Sequence, residues 1–198
     1  MSQIPFPESE AIVLLDMNLL SKYSFPELIK EFPDSLSLIW DRIRDYKSEE
    51  RKREIVVSRY LICLLARYWG VEIEYFDSVL GQKIVCLSQR DIMLKRRMFA
   101  SISHSLNWLA VGISSLNSIA VDIHSRDRGY EKVLRVVRKI FPQLPLIEDD
   151  VETPTFVWTL YECFKKLGIN DFSNVSLLIK MALGLFKDNR TYDKSGFS

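Results

Sequence analysis

The chain contains only two histidines, His104 and His124, and both stand beside residues that could share chemistry with them. His124 follows Asp122 by two positions in the run Ile119-Ala120-Val121-Asp122-Ile123-His124. In a strand, residues two apart point to the same face, so this carboxylate and imidazole can approach one cation. A polar strand edge facing water is the plainer account of the same pair. His104 lies between Ser103 and Ser105, just after the apolar run Met98–Ile102. Further along, Glu162 and Lys166 are four apart and share one helix face. They form either an ordinary ion pair, worth about 0.3–0.5 kcal/mol, or a carboxylate and an ammonium aimed at a phosphate–metal site. Two basic clusters, Arg51-Lys52-Arg53 and Lys95-Arg96-Arg97, read first as solvated faces. The first falls at a helix start, where the dipole disfavours cations, and a bound anion would ease that conflict.

Positioning these residues requires both helices and strands. Asp34 can cap a helix with Leu36, Ile39, Trp40 and Ile43 on one face. The charged run Lys47–Glu54 opens a second helix that ends at Gly70, with Val56, Val57, Tyr60, Leu61, Leu64 and Leu65 at helical spacing. Val71–Phe76 and Ile84–Leu87 have strand character. Phe99–Ile123 reads as further strands, with a connection at Ser115-Leu116-Asn117 and a clean alternation over Ser118–His124. A helix over 128–141 is stopped by Pro142. Thr153-Pro154 opens another, with Gly168 past its end and Phe156, Leu160, Phe164 and Leu167 as its buried stripe. Strands and helices in separate runs define an α+β class.

Composition excludes several functions. The seven glycines are so scattered that no two lie within ten residues of each other. Gly-rich dinucleotide and phosphate loops need glycines two to five apart, so both are ruled out. Three cysteines without a Cys-x-x-Cys argue against a disulfide framework or a structural zinc. Free thiols point to a reducing compartment, and the acidic, proline-bearing N-terminus is unlike a signal peptide. A soluble cytoplasmic protein is expected, without a membrane span. The net charge of +1 opposes a general polyanion binder, so no nucleic-acid partner is expected.

Three blocks now stand in order: Phe99-Ala-Ser-Ile-Ser-His-Ser-Leu-Asn-Trp108, Ile119-Ala-Val-Asp-Ile-His124, and Trp158-Thr-Leu-Tyr-Glu-Cys-Phe-Lys-Lys166. Together they resemble the signature blocks of the 4′-phosphopantetheinyl transferases of the surfactin-synthetase-activating type. The helix carrying Arg53 resembles that family's Arg-x-x-x-Gly stretch more loosely. The resemblance runs from about Arg51 to Gly168 and uses both histidines.

The resemblance implies a pseudo-dimer of two similar α+β halves, here residues 1–117 and 118–198, with the site in the cleft between them and a short second half. It implies transfer of the phosphopantetheine arm of coenzyme A to a serine of an apo acyl or peptidyl carrier protein, releasing 3′,5′-ADP, by a monomer or weak dimer. Carried over by position, Asp122 and Glu162 bind Mg²⁺ on the pyrophosphate, with His124 at the family's second acidic position. Arg53, Ser103 and His104 hold the 3′-phosphate end of coenzyme A. Lys166 contacts the phosphates, and Glu162 serves as base. The chain departs from the family at His124, at Tyr161 in place of a lysine, and at Leu106 in place of a glycine; Gly81-Gln82-Lys83 is only a loose match to Gly-Lys-Pro. An imidazole at position 124 favours Mn²⁺ over Mg²⁺. A relative that binds a carrier protein or coenzyme A without efficient catalysis is the alternative expectation.

Overall fold

In a computed structural model that describes residues 10–20, 43, 46–71, 73, 75–79, 83–87, 98–125, 130–144, 151–171 and 175–184, the charged run opens a helix as expected. Helix α1 spans Glu49–Tyr68. Ser48 caps it, its Oγ accepting from the Arg51 N–H at 3.2 Å, and Glu49 and Glu50 place negative charge in the first turn. These acids offset the cost of the basic cluster beside them. At the other end Gly70 takes a positive φ of 71°. The Val71 N–H then reaches back to the Ala66 carbonyl at 2.9 Å, closing the helix with a left-handed glycine.

Five antiparallel strands form one sheet in the order β1-β5-β4-β3-β2. They are β1 Glu10–Asp16, β2 Tyr75–Val79, β3 Lys83–Leu87, β4 Met98–Ser105 and β5 Trp108–Ser114. In the register, His104 lies opposite Leu109, and Ser103 opposite Ala110. One face therefore carries Met98, Ala100, Leu109, Val111 and Ile113, and α1 packs there through Val57, Ile62, Cys63 and Ala66. The buried seam of α1 is rotated from the expected one. Ile62 and Ala66 are fully buried, whereas Leu64 is exposed.

The region after Phe99 differs from the sequence expectation in two respects. The hairpin connection is Leu106-Asn107, with Ser105 paired to Trp108, so 115–117 follows a strand without joining two. Residues 118–125 carry no strand pairing. They are fastened to β4 by side chains instead: the Val121 N–H donates to Ser101 Oγ at 3.0 Å, and the Ile123 N–H to Ser103 Oγ at 3.2 Å. Gly112 makes room for this segment. A Cβ there would lie 2.7 Å from Val121 Cγ1 and 3.1 Å from Ile119 Cδ1. Hydroxyls two apart on β4 do the work that a backbone ladder would do in a strand.

The chain divides into two compact units, Met1–Ile123 and His124–Ser198. The division falls six residues beyond the expected 117/118 boundary, because 119–123 is bound to the first unit through Ser101, Ser103 and Gly112. The described part of the second unit contains α2 (Tyr130–Ile140), α3 (Glu152–Lys166) and a helix over 175–184, here α4. No strand occurs among its described residues. Val133, Val137, Phe141, Val157, Val175 and Ile179 form its core. Val157 and Pro154 are the fully buried members of α3, with Phe156, Leu160 and Phe164 only partly buried. Pro154 is the third residue of α3, two places further in than its first position, where a missing N–H still costs nothing. Gly168, at φ 78°, ends this helix as Gly70 ends α1. The chain is thus α+β with an antiparallel sheet. Among the described residues no helix is long and apolar enough to cross a membrane. The expected helix after Asp34, the Lys95-Arg96-Arg97 segment and Gly81-Gln82 lie outside the described residues, apart from Ile43, which is helical and buried; Lys83 opens β3.

Candidate functional site

The alternation of β4 puts His104 and Ser103 on opposite faces. His104 points toward α1. There Arg51 Nη1 donates to Glu54 Oε2 at 2.7 Å and also meets His104 Nε2. A guanidinium only donates, so Nε2 of the imidazole accepts, and the ring proton belongs on Nδ1. Nδ1 lies 3.2 Å from Glu54 Oε1, which accepts it. The tautomer is assigned from this bonding pattern. Glu54 is only 11% exposed at its side chain, while Arg51 and His104 are each 43% exposed. A buried carboxylate thus holds a guanidinium and an imidazole side by side at the surface. Both can face an anion.

Arg51, not Arg53, is the arginine beside His104. Arg53 lies two residues further, about 200° round the helix, and its buried Nε has no hydrogen-bond partner among the described residues. The sequence reading named Arg51 only as one of a basic cluster and gave Glu54 no part in it. They share a helix face with buried Ser58 and Ile62, and that spacing of three and four is the signal that could have found them.

On the other face, Ser103 is 7% exposed. Its hydroxyl donates to Asp122 Oδ1 at 2.8 Å while accepting from the Ile123 N–H. Two of the three sequence blocks therefore meet within one unit, through a serine of the first and the carboxylate of the second. Because 118–125 is not a strand, alternation does not place Asp122 and His124 on one face. His124 Nε2 is buried and without a hydrogen-bond partner among the described residues, the sort of atom that a ligand or water satisfies.

In the second unit, Glu162 Oε1 accepts from Lys165 Nζ at 3.1 Å. Tyr161 packs edge-on against Phe141 with ring centroids 5.7 Å apart. It lies at the same centroid distance from Trp158, and Lys165 Nζ sits 5.5 Å above its ring. Its ring belongs to the unit's hydrophobic cluster.

Among the described residues no group of three or more His, Cys, Asp or Glu side chains is arranged to hold a metal ion. Mg²⁺ does not need such a cage. It is commonly held by one or two carboxylates, with waters and substrate phosphates completing the octahedron. The hard oxygens of Asp122 suit that role, and the nitrogen of His124 does not. No protein-family model, curated protein or solved structure matches this chain.

Proposed function

We propose that the protein transfers the phosphopantetheine arm of coenzyme A to a serine of an apo carrier protein, as a member of the phosphopantetheinyl transferases. The observation that carries this reading is the meeting of the first two blocks: Ser103 of one holds Asp122 of the other. The Arg51–Glu54–His104 cluster supports it independently, since the co-substrate bears a 3′-phosphate remote from its reacting pyrophosphate.

In this reading Arg51 and His104 grip the 3′-phosphate, and Arg53 is relieved of that role. Binding energy gained there positions the pyrophosphate without taking part in the chemistry. Asp122 offers a carboxylate to Mg²⁺. Glu162 and Lys166 take their roles from the third block alone: Glu162 as a second metal ligand and as base for the carrier serine, Lys166 as partner of the departing phosphate oxygen. When bound, the metal neutralises charge that develops on the pyrophosphate during in-line displacement. The carrier serine's oxygen forms a bond to the phosphorus of the arm, its proton passes to Glu162, and the bond to 3′,5′-ADP breaks. The two-similar-halves architecture, the cytoplasmic setting and a monomeric or weakly dimeric state belong to the same proposal.

Tyr161 favours a second reading. Its ring lies in the hydrophobic cluster of the second unit, at a position where the family places a phosphate-contacting lysine. A relative that binds coenzyme A or a carrier protein without efficient turnover would tolerate that exchange. Mass spectrometry of apo carrier proteins incubated with this protein, coenzyme A and Mg²⁺ distinguishes the two. A gain of about 340 Da, one covalently attached arm, supports transfer. Coenzyme A binding without any mass gain across fatty-acid, polyketide and peptide-synthetase carriers selects the second reading.

A further inference from the structure

We infer that Ser103 is a positioning residue for the Asp122 carboxylate and not a contact of the coenzyme's 3′-phosphate. This rests on the transferase reading for its metal, but the geometry is that of the first unit alone. Ser103 Oγ is buried between β4 and the 119–123 segment, where it accepts from the Ile123 N–H at 3.2 Å and donates to Asp122 Oδ1 at 2.8 Å. The single hydroxyl proton is thereby committed to the carboxylate. His104 and Arg51 lie on the opposite face of the sheet, so one phosphate group cannot draw on His104 and on the Ser103 hydroxyl together.

Asp122 sits in a segment outside the strands, and a carboxylate on an irregular segment has several rotamers available. A hydrogen bond from a buried strand residue selects one and aims the carboxylate. Hydrogen bonds to a ligating carboxylate commonly change metal affinity by about 10–100-fold when removed.

Ser101 supplies a control within the same structure. It is on the same face of β4, is likewise buried, and accepts from the Val121 N–H at 3.0 Å. No bond from Ser101 to Asp122 accompanies it. Loss of either serine loosens the segment, but only loss of Ser103 removes a hydroxyl donor from the carboxylate.

The test is calorimetric titration of Mn²⁺ into the protein with coenzyme A, for wild type, Ser103→Ala, Ser103→Thr and Ser101→Ala, alongside urea melts. Ser103→Ala is expected to weaken Mn²⁺ binding about tenfold or more, Ser103→Thr to restore it, and Ser101→Ala to lower stability while leaving Mn²⁺ affinity within about twofold. Equal Mn²⁺ affinity for the two alanine variants overturns the inference, as does a Ser103→Ala protein whose only defect is lost discrimination between coenzyme A and its 3′-dephospho form. If wild type binds no Mn²⁺ with coenzyme A, the transferase reading fails. The side-chain carboxyl carbon resonance of Asp122 then decides positioning by itself: a shift in Ser103→Ala but not in Ser101→Ala supports it, and no shift in either refutes it. Should Ser103→Ala fail to fold, Ser103→Cys, with a weaker donor and similar volume, is measured in its place against the same outcomes.

Discussion

The two faces of β4 hold their polar side chains in different ways. Toward α1, His104 is joined to Arg51 and Glu54 by side-chain contacts alone, and two of the three groups remain close to half exposed. On the reverse face, Ser103 is buried and bound at once to a backbone N–H and a carboxylate. The first arrangement can open its Arg51–His104 contact to admit an anion while Glu54 keeps both groups in place. The second cannot admit anything without breaking the fastening of 119–123. On the proposed function, one strand therefore separates a binding role, which needs adjustable groups, from an aiming role, which needs a fixed one.

The most severe way to break this comparison is at its aimed carboxylate. Asp122→Asn keeps the shape and removes the charge, so transfer should fall at least ~10²-fold, as followed by the mass of the carrier protein, with the urea midpoint little changed. Glu162→Gln should match it. Full turnover in either variant would mean the corresponding carboxylate serves only structure. On the other face the effect should be smaller and confined to binding. Wild type should prefer coenzyme A over its 3′-dephospho form by about tenfold, roughly the strength of one charge-assisted hydrogen bond. His104→Ala should largely erase that preference, whereas Ser103→Thr should keep it. Equal binding of both ligands by wild type in a calorimetric titration removes Arg51 and His104 from the site.

Stability changes sharpen the contrast further. Gly112→Ala drives a methyl group into Val121 on the Ser103 face alone, at 2.7 Å from its Cγ1. Overpacking of this kind costs about 1–3 kcal/mol, and denaturant melts should show it together with weaker metal binding and an intact preference for the 3′-phosphate. The smallest effect belongs to the hairpin where both faces end. Leu106 has a φ of 52°, a conformation that costs a side-chain-bearing residue about 1–2 kcal/mol. Leu106→Gly recovers part of this, offset by greater freedom in the unfolded chain. A gain of about 0.5–1 kcal/mol is expected, without change in either binding preference. A loss of stability would show that contacts of the Leu106 side chain outweigh its backbone.

Helix boundaries were the most legible part of this sequence. Ser48 with two acids, and the glycines at 70 and 168, carry local signals that need no tertiary context. The segment 118–124 shows the limit of such signals. Its alternation is that of a strand, yet its partner groups are the hydroxyls of Ser101 and Ser103. A period of two is satisfied by any extended chain lying across a sheet, whether or not it pairs with one. That Arg51 and not Arg53 meets His104 was hidden for a related reason. The block pattern names an arginine near a helix start, but the face that meets His104 is set by the seam through Ser58, Ile62 and Ala66, and apolar counting placed that seam elsewhere. The Ser103–Asp122 bond joins residues nineteen apart across a sheet face, and nothing local in the sequence announces it.

The core beneath α1 also contains a built-in clock. Cys63 is buried against the sheet, and desolvation pushes its thiol up to about 11, only partly opposed by the nearby Arg67 cation. Its folded value exceeds that of the unfolded chain, so the resulting stability is fully present below about pH 9 and is lost as pH rises toward 11; the stability difference between wild type and Cys63→Val should change with pH over that interval. At neutral pH the folded thiol is doubly protected, by burial and by its retained proton, since the thiolate is the reacting species. A disulfide reagent can then modify Cys63 only when α1 lifts from the strands. In a chain with Cys86 and Cys163 replaced by serine, the labelling rate would read out the frequency of that opening, and its slowing by coenzyme A would time how firmly an occupied Arg51–His104 pair closes the helix onto the sheet.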